Sequence, residues 1–153
     1  MLKEQVGKIE IFKDFSDKQL DELYFWLERR EYDEHAEIIK EGAHAQGLYL
    51  LAGGIVSVVK RSTLRKVKLT DIVAPSFFGE IGLLNGSART AAVRAKSKVV
   101  IGYLPRQLFE KKLQQDNITA LRISLSIGRL LANRLSNTSE LLVNTVMLLK
   151  KHE

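Results

Sequence analysis

Apolar positions follow two different periods along this chain and divide it into three parts. Ser16 and Gln19 form a capping-box pattern, and apolar residues recur at helical spacing after it. These apolar residues predict a helix over about 17–29: Leu20, Leu23, Tyr24 and Leu27. Over 31–104 the segments are short, rich in β-branched residues and separated by glycines. Such spacing predicts an antiparallel sandwich or barrel instead of alternating βαβ units.

The last part of the chain is rich in leucine and lacks proline over about 117–151, which predicts one long helix. A shorter helix precedes it, with Pro105 as its first helical residue. Apolar or small residues recur in the long helix at alternating spacings of four and three, as in a coiled-coil seam. The seam comprises Leu121, Leu125, Gly128, Ala132, Leu135, Ser139, Leu142, Val146 and Leu149. It predicts a homodimer, and the alternative is packing on the chain's own barrel. Further apolar residues widen the surface enough to allow both: Ile118, Ile123, Ile127, Leu131 and Leu141.

Composition limits the class of protein. The 153 residues suit a single domain, and 45% hydrophobic with 27% charged residues indicates a globular chain. The absence of cysteine excludes a disulfide framework, a thiolate metal site and a thiol nucleophile, and no metal is expected. The N-terminus has no apolar signal stretch and no apolar run is long enough to span a bilayer. We therefore expect a cytoplasmic protein without a membrane partner.

The net charge of +6 raises the alternative of nucleic acid or acidic lipid as a partner. Over 65–70, however, charged residues alternate with apolar ones, as on the outer face of a strand. The pattern favours solvated charges over a binding patch. The positive charge also raises the local concentration of small anions.

Candidate chemistry is concentrated between Phe77 and Ala95. Gly79 permits a sharp turn, a one-turn helix is predicted over 80–84, and Asn85-Gly86 ends it. Amide N–H groups at that helix start point toward an anion, and Gly82 has no side chain to block it.

Two charged side chains extend this anion site. Arg89 is expected to return on the next strand and to face the same spot, where its guanidinium can bind a phosphate. Glu80 fits beside a phosphate if its carboxylate accepts a hydrogen bond from a hydroxyl of the same ligand, such as a ribose 2′-OH. The alternatives are a helix-capping acid for Glu80 and a surface strand residue for Arg89.

The motif Gly79-Glu80-Ile81-Gly82-Leu83-Leu84, followed by Arg89-Thr90-Ala91, resembles the phosphate-binding cassette of the cyclic nucleotide-binding domain family. The resemblance extends outward through the early strands and covers nearly the whole chain. It implies an α+β fold, an antiparallel β-roll or jelly-roll barrel flanked by an N-terminal helix and a long C-terminal dimerisation helix. A single domain over 1–153 then divides into a helical segment at 1–30, a β-roll at 31–104 with the cassette at 78–91, and C-terminal helices at 105–153.

The resemblance also implies roles for residues of this site. Glu80 would accept from the ribose 2′-OH and Arg89 would bind the exocyclic phosphate oxygens. Backbone amides at Gly79 and Gly82, with the hydroxyl or amide of Thr90, would complete the phosphate cradle. Two apolar residues of the motif complete the ligand-binding set: Ile81 and Ala91.

The stretch 133–140 resembles the dimer helix of the catabolite activator proteins in this family. On that resemblance, Thr138 and Ser139 contact the base, Ser139 from the other subunit. The alternative is that Ser139 is only a polar residue at a seam position, where it weakens the packing of a coiled coil. Thr90 occurs in family members that favour cGMP, whereas Thr138 and Ser139 favour cAMP. We expect cAMP to be preferred over cGMP as the ligand.

Two departures from the family shape the functional hypothesis. Ala74-Pro75-Ser76 replaces the usual glycine-aspartate before the cassette, and the chain ends where the catabolite activators continue into a helix-turn-helix. We therefore expect a stand-alone sensor that relays ligand binding through its C-terminal helix to a downstream protein, with DNA disfavoured as a partner.

Three alternatives stay open. The first is a DNA-binding transcriptional regulator of the catabolite activator type, truncated or acting with a partner. An enzyme is disfavoured because three scattered histidines and no cysteine offer no acid-base or nucleophile set. A domain that kept the fold and lost the ligand is disfavoured by the presence of Glu80 and Arg89.

Overall fold

The computed structural model describes residues 2–61 and 65–150. The helices are α1 (Leu2–Gly7), a 3-10 turn (Glu10–Phe12), α2 (Asp17–Trp26), α3 (Glu80–Asn85), α4 (Arg106–Gln114) and α5 (Ile118–Lys150). The strands are β1 (Glu28–Tyr32), β2 (Glu37–Ile39), β3 (Gly47–Gly53), β4 (Ile55–Arg61), β5 (Lys66–Val73), β6 (Ser76–Phe78), β7 (Ala92–Ala95) and β8 (Val99–Pro105). The helical start, strand-rich middle and helical end follow the order that the sequence predicts.

The strands form two antiparallel four-stranded sheets. The first sheet has the order β1-β8-β3-β6 and the second sheet has the order β2-β7-β4-β5. One hydrophobic cluster joins the two sheets, and a second joins the first sheet to the helices. Along β3, Leu48 and Leu50 enter the helical cluster while Tyr49 and Leu51 enter the other. Both faces of the first sheet are therefore buried, which explains an uninterrupted apolar run in β3. The predicted sandwich is confirmed.

The capping box at the start of α2 forms as predicted, but the helix ends earlier. The Ser16 side chain accepts from the Gln19 backbone N–H, and the Gln19 side chain accepts from the Ser16 N–H. The helix ends at Trp26 and not near residue 29, because Leu27 is extended and Glu28 already pairs with Tyr103 of β8. A ladder with a distant strand thus overrides the helical periodicity of the local sequence.

The C-terminal helices differ from prediction only at their boundaries. Pro105 has an extended backbone and caps α4, so the first helical residue is Arg106. The long helix α5 is present through Lys150, and Lys151 lies outside the described residues. At its start, the Asn117 side chain accepts from the Ala120 backbone N–H at 3.0 Å. This hydrogen bond satisfies one of the backbone N–H groups that the first turn of a helix leaves without an acceptor.

Helix α5 has a fixed start and an exposed far end. Ile123 and Ile127 are 0% exposed and belong to the hydrophobic cluster that joins the helices to the first sheet. Ile118 and Leu141, which were expected to widen the same apolar surface, are exposed, and the seam residues from Leu135 onward also face solvent. Glu22 of α2 holds the start, accepting from the Thr119 hydroxyl and the Asn117 side-chain amide, both at 2.6 Å. The Thr119 hydrogen bond, assisted by that of Asn117, lowers the pKa of Glu22 from its usual value. The predicted internal packing therefore occupies one face and leaves the seam face open.

Candidate ligand-binding site

Two glycines in the left-handed region define the cassette helix α3. Gly79 precedes it with φ +86° and Gly86 follows it with φ +66°, a backbone conformation that L side chains rarely adopt. The helix runs over Glu80–Asn85, one residue longer than predicted. Its first-turn N–H groups have no acceptor within the helix. The local sequence therefore determines both ends of the element that carries Glu80 and Gly82.

Arg89 lies in the connection between α3 and β7, not on the strand as expected. The neighbouring Ala88 makes an isolated antiparallel bridge with His44. The Arg89 guanidinium donates from Nη1 to the Gly79 carbonyl at 3.0 Å and from Nη2 to the Gly47 carbonyl at 2.7 Å. Because a guanidinium has five N–H donors, three remain for other acceptors. Burial lowers the pKa of Arg89, and the nearby Tyr49 partly opposes this effect.

Glu80 is buried, with 8% of its surface exposed, and it contacts the long C-terminal helix. Its Oε1 accepts a hydrogen bond from Arg134 Nη1 of α5 at 2.5 Å. The sequence analysis missed Arg134, which stands 54 residues away from Glu80. A signal was available, because Arg134 is seven residues after the buried Ile127 and so shares its helix face.

A cavity of about 420 Å³ lies between the inner face of the second sheet and the cassette. All predicted cassette residues line it: Gly79, Glu80, Ile81, Gly82, Arg89, Thr90 and Ala91. Apolar side chains form the deeper walls, including Ile39, Val58, Ile72, Phe78 and Val93. Further hydroxyl groups come from Thr70, Ser76 and Ser87. This combination of apolar walls and a few converging polar groups is typical of a small-molecule site.

The two predicted base-contacting residues do not line this cavity. Thr138 and Ser139 are exposed on α5, and their hydroxyls donate to the carbonyls of Arg134 at 2.8 Å and Leu135 at 2.9 Å. Thr138 follows Arg134 by one helical turn and shares its face, whereas Ser139 lies in the seam. Their roles stay predictions.

The charges of the cavity favour an anion that also carries a hydroxyl group. Arg89 and Arg134 contribute two positive charges and Glu80 one negative charge to its lining. Among the described residues, no group of three or more His, Asp or Glu side chains is arranged to hold a metal ion.

Comparison with known families decides the class of this site. Residues 29–116, which include the entire cassette, match the model of the cyclic nucleotide-binding domain. The chain belongs to the cyclic nucleotide-binding domain family.

Relatives of this family member include two proteins that are named for a regulatory role. The chain is 32% identical over 119 residues to the cAMP-activated global transcriptional regulator CRP of Pasteurella multocida, which covers 76% of this chain and 55% of the regulator. It is 29% identical over 114 residues to the cAMP-dependent protein kinase type II regulatory subunit of Drosophila melanogaster, covering 74% of this chain and 30% of the subunit. This cyclic nucleotide-binding domain thus spans about half or less of the length of these relatives.

Solved structures share the fold of this cyclic nucleotide-binding domain. A domain of the same kind from Methylobacillus flagellatus KT has a TM-score of 0.78 at 21% identity, covering 94% of this chain and 82% of that one. The Thermus thermophilus catabolite activator protein has a TM-score of 0.77 at 23% identity, with 86% and 61% covered. The predicted jelly-roll fold with a long C-terminal helix is confirmed.

Among the described residues, no helix is sufficiently long and apolar to cross a membrane.

Gly82 provides a test of how tightly the cassette packs in this domain. A Cβ at Gly82 would lie 2.3 Å from Ala45 Cβ and 2.7 Å from Arg89 Nη1. We expect Gly82→Ala to destabilise the fold by about 1–3 kcal/mol, because the backbone must move to relieve this overlap. Chemical denaturation measures the change in the free energy of unfolding.

Gly53→Ala is the matched control, since a Cβ there would meet Val100 at an ordinary 3.8 Å. We expect this control to stay within about 0.5 kcal/mol of wild type. Equal stability of both variants would show that α3 is not held against Ala45.

Proposed function

We propose that this domain is a sensor that binds a cyclic nucleotide, cAMP in preference to cGMP, and relays binding through α5. The observation that carries the proposal is that the Arg89 guanidinium and the buried Glu80 carboxylate line the same cavity of about 420 Å³. One ligand that satisfies both groups carries a phosphate and a hydroxyl on a compact ring. A cyclic nucleotide has this chemistry.

The phosphate is assigned to Arg89. Its guanidinium is anchored on the Gly79 and Gly47 carbonyls, so it is already oriented and loses little freedom when it binds. Its remaining N–H groups can make charge-assisted hydrogen bonds to the exocyclic oxygens. The Gly79 and Gly82 amides and Thr90 complete the phosphate contacts.

The ribose is assigned to Glu80. Its carboxylate is buried and accepts only, so a 2′-OH donor pairs with it directly. The same carboxylate accepts from Arg134 at 2.5 Å through Oε1 and has further lone pairs, so it can accept from the ligand hydroxyl and from Arg134 together. This shared carboxylate is the physical basis of the proposed relay, because a ligand bound to Glu80 changes how α5 is held.

The base is assigned to Thr138 and Ser139, with Ser139 reaching it from a second subunit. Thr138 supports this assignment because it shares a helix face with Arg134, which lines the cavity. The exposed seam supports the dimer, and a Cβ at Gly128 would meet nothing within 4 Å, so a partner helix has room to approach. The cAMP-named relatives support the preference for adenine.

Isothermal calorimetry with cAMP, cGMP and 5′-AMP tests the proposed function. We expect cAMP to bind most tightly, cGMP more weakly and the open 5′-AMP very poorly, since its dianionic phosphate does not match a cradle shaped for a cyclic diester. Absence of binding by both cyclic nucleotides would contradict the proposal.

The role of Glu80 is tested by pairing variants with 2′-deoxy-cAMP. Wild type should lose roughly tenfold in affinity for the deoxy ligand, because the hydrogen bond from the 2′-OH to Glu80 is lost. Glu80→Gln should bind cAMP better than Glu80→Ala does, since its amide oxygen still accepts. Glu80→Ala should no longer distinguish the two ligands. If wild type binds both equally, Glu80 has a structural role instead.

The relay is tested by amide hydrogen exchange of α5. Binding of cAMP should change exchange over 130–138 by roughly threefold or more, and 2′-deoxy-cAMP should change it less because it lacks the hydroxyl that pairs with the Glu80 carboxylate. Arg134→Gln should reduce the response. Arg129→Gln, an exposed change on the opposite helix face, is the control. A response that is unaltered in Arg134→Gln would exclude this ion pair as the link.

A further inference from the structure

A second cavity, of about 490 Å³, shares no lining residue with the nucleotide cavity. It lies where β8 leads into α4. Its polar and aromatic lining consists of Arg30, Gln46, Tyr103, Arg106, Gln107 and Glu110. The volume is in the range of small-molecule sites in proteins.

Arg106 lies at the wall of this cavity, and several contacts fix its position. Its backbone N–H donates to the Gln46 carbonyl at 2.7 Å, and its Nη2 lies 2.7 Å from Glu110 Oε1. Its Nη1 packs against Gly86, where an added Cβ would lie only 1.9 Å away. In the part of the chain that the structure describes, Arg106 Nε is the one buried side-chain polar atom without a hydrogen-bond partner. Because this atom is buried, the donors of Arg106 that a ligand of the cavity contacts are the N–H groups of its terminal nitrogens.

Arg30 supplies a second guanidinium to the same cavity. Its Cζ lies 3.5 Å above the centre of the Tyr103 ring, which fixes the plane of the group. Its Nη2 donates to Glu28 Oε2 at 2.6 Å. Glu28 and Glu110 have side chains 54% and 45% exposed, so their pairings with the arginines are weak in water.

Two guanidinium groups in one cavity favour an anionic ligand. Glu110 in the lining and Glu28 beside Arg30 match their charges, but both pairings are weak in water, so a doubly charged anion can replace them. Two planar guanidinium groups match the geometry of a phosphate, which also carries more charge than the single carboxylates already present. The volume exceeds what a phosphate ion needs, and the carboxamides of Gln46 and Gln107 offer contacts to a polar remainder.

We propose that this second cavity binds a small molecule with a phosphate monoester, whose phosphate contacts Arg106 and Arg30. This site is separate from the nucleotide cavity and does not depend on the function assigned there.

Two-dimensional NMR of backbone amides tests the proposal, with inorganic phosphate and ribose 5-phosphate as probes. Titrations in the Arg89→Ala background and in wild type saturated with cAMP prevent the probes from entering the first cavity. We expect saturable shifts at the amides of Gln46, Arg106 and Gln107, with ribose 5-phosphate binding roughly threefold or more tighter than phosphate because its sugar contacts the carboxamides.

Variants on α4 distinguish the site from nonspecific attraction. Arg106→Gln should weaken ribose 5-phosphate binding roughly tenfold or more, whereas Lys111→Gln, the same charge change at an exposed position outside the cavity, should leave it unaltered. If Arg106→Gln does not fold, Arg30→Gln takes its place, with the same expected loss.

Three results would overturn the proposal: shifts that grow linearly without saturation, equal losses in Arg106→Gln and Lys111→Gln, or ribose 5-phosphate binding no tighter than inorganic phosphate. The last would leave a phosphate ion as the ligand instead of a monoester. Saturable shifts in a protein that binds no cyclic nucleotide would support this site while contradicting the proposed function.

Discussion

Arg89→Ala should weaken cyclic-nucleotide binding by at least about 2 kcal/mol, or roughly 30-fold, because it removes a charge-assisted phosphate contact from a partly buried site. Calorimetric titration with cAMP measures the loss. The variant should remain folded, but with lower stability, because the Gly47 and Gly79 carbonyls lose the donors that Arg89 gives them. Thermal unfolding measured alongside separates these two effects.

Two control variants sharpen this experiment. Arg89→Lys keeps the positive charge but not the paired N–H donors, so its loss of affinity should lie between wild type and Arg89→Ala. Arg94→Ala removes a guanidinium that pairs with Glu37 outside the nucleotide cavity, so it should bind as wild type does. Unchanged affinity in a folded Arg89→Ala variant would reject the cassette as the phosphate site.

Leu142→Glu should dissociate the proposed dimer, raising its dissociation constant roughly 100-fold or more, because the seam would bury an unpaired charge. The monomer fold should be unaffected, since Leu142 is 63% exposed in the single chain. If Ser139 reaches the base of the neighbouring subunit, discrimination between cAMP and cGMP should fall more than affinity does. Binding through Arg89 and Glu80 should survive.

Asn144→Glu is the matched control for the seam. It adds the same charge to the exposed end of α5, on the face opposite Leu142 and Val146, and should leave association unaltered. Sedimentation with and without cAMP gives the oligomeric state, and titrations with both nucleotides give the selectivity. A wild type that is monomeric at all concentrations would contradict the shared helix, as would a monomeric Leu142→Glu with unaltered selectivity.

The cassette helix could be predicted because the information that sets its ends is local. Gly79 and Gly86 adopt left-handed conformations that favour glycine, so the two ends of α3 are readable from single residues. The capping box of Ser16 and Gln19 is readable for the same reason. The seven ligand-binding residues predicted in the cassette line one cavity, while the ligand and the roles of these residues, of Thr138 and of Ser139 are still predictions.

Prediction failed where a distant part of the chain determines the outcome. Helix α2 ends at Trp26 because Glu28 pairs with Tyr103, although its periodicity continues to Leu27. Arg89 precedes β7 instead of lying on it, and its guanidinium is held by the Gly47 carbonyl, 42 residues away. A local pattern contains no information about such partners.

The sequence by itself determined where the chain turns, which segments alternate as strands, which residues form the cassette and which family they resemble, since backbone preferences and apolar periods act over a few residues. Only the tertiary structure decided that Ile123 and Ile127 pack inward while the seam stays open, and that Arg134 contacts Glu80. It alone placed Arg30 and Arg106 at a second cavity. These contacts depend on how sheets and helices pack against one another, and packing joins residues that the chain itself keeps far apart.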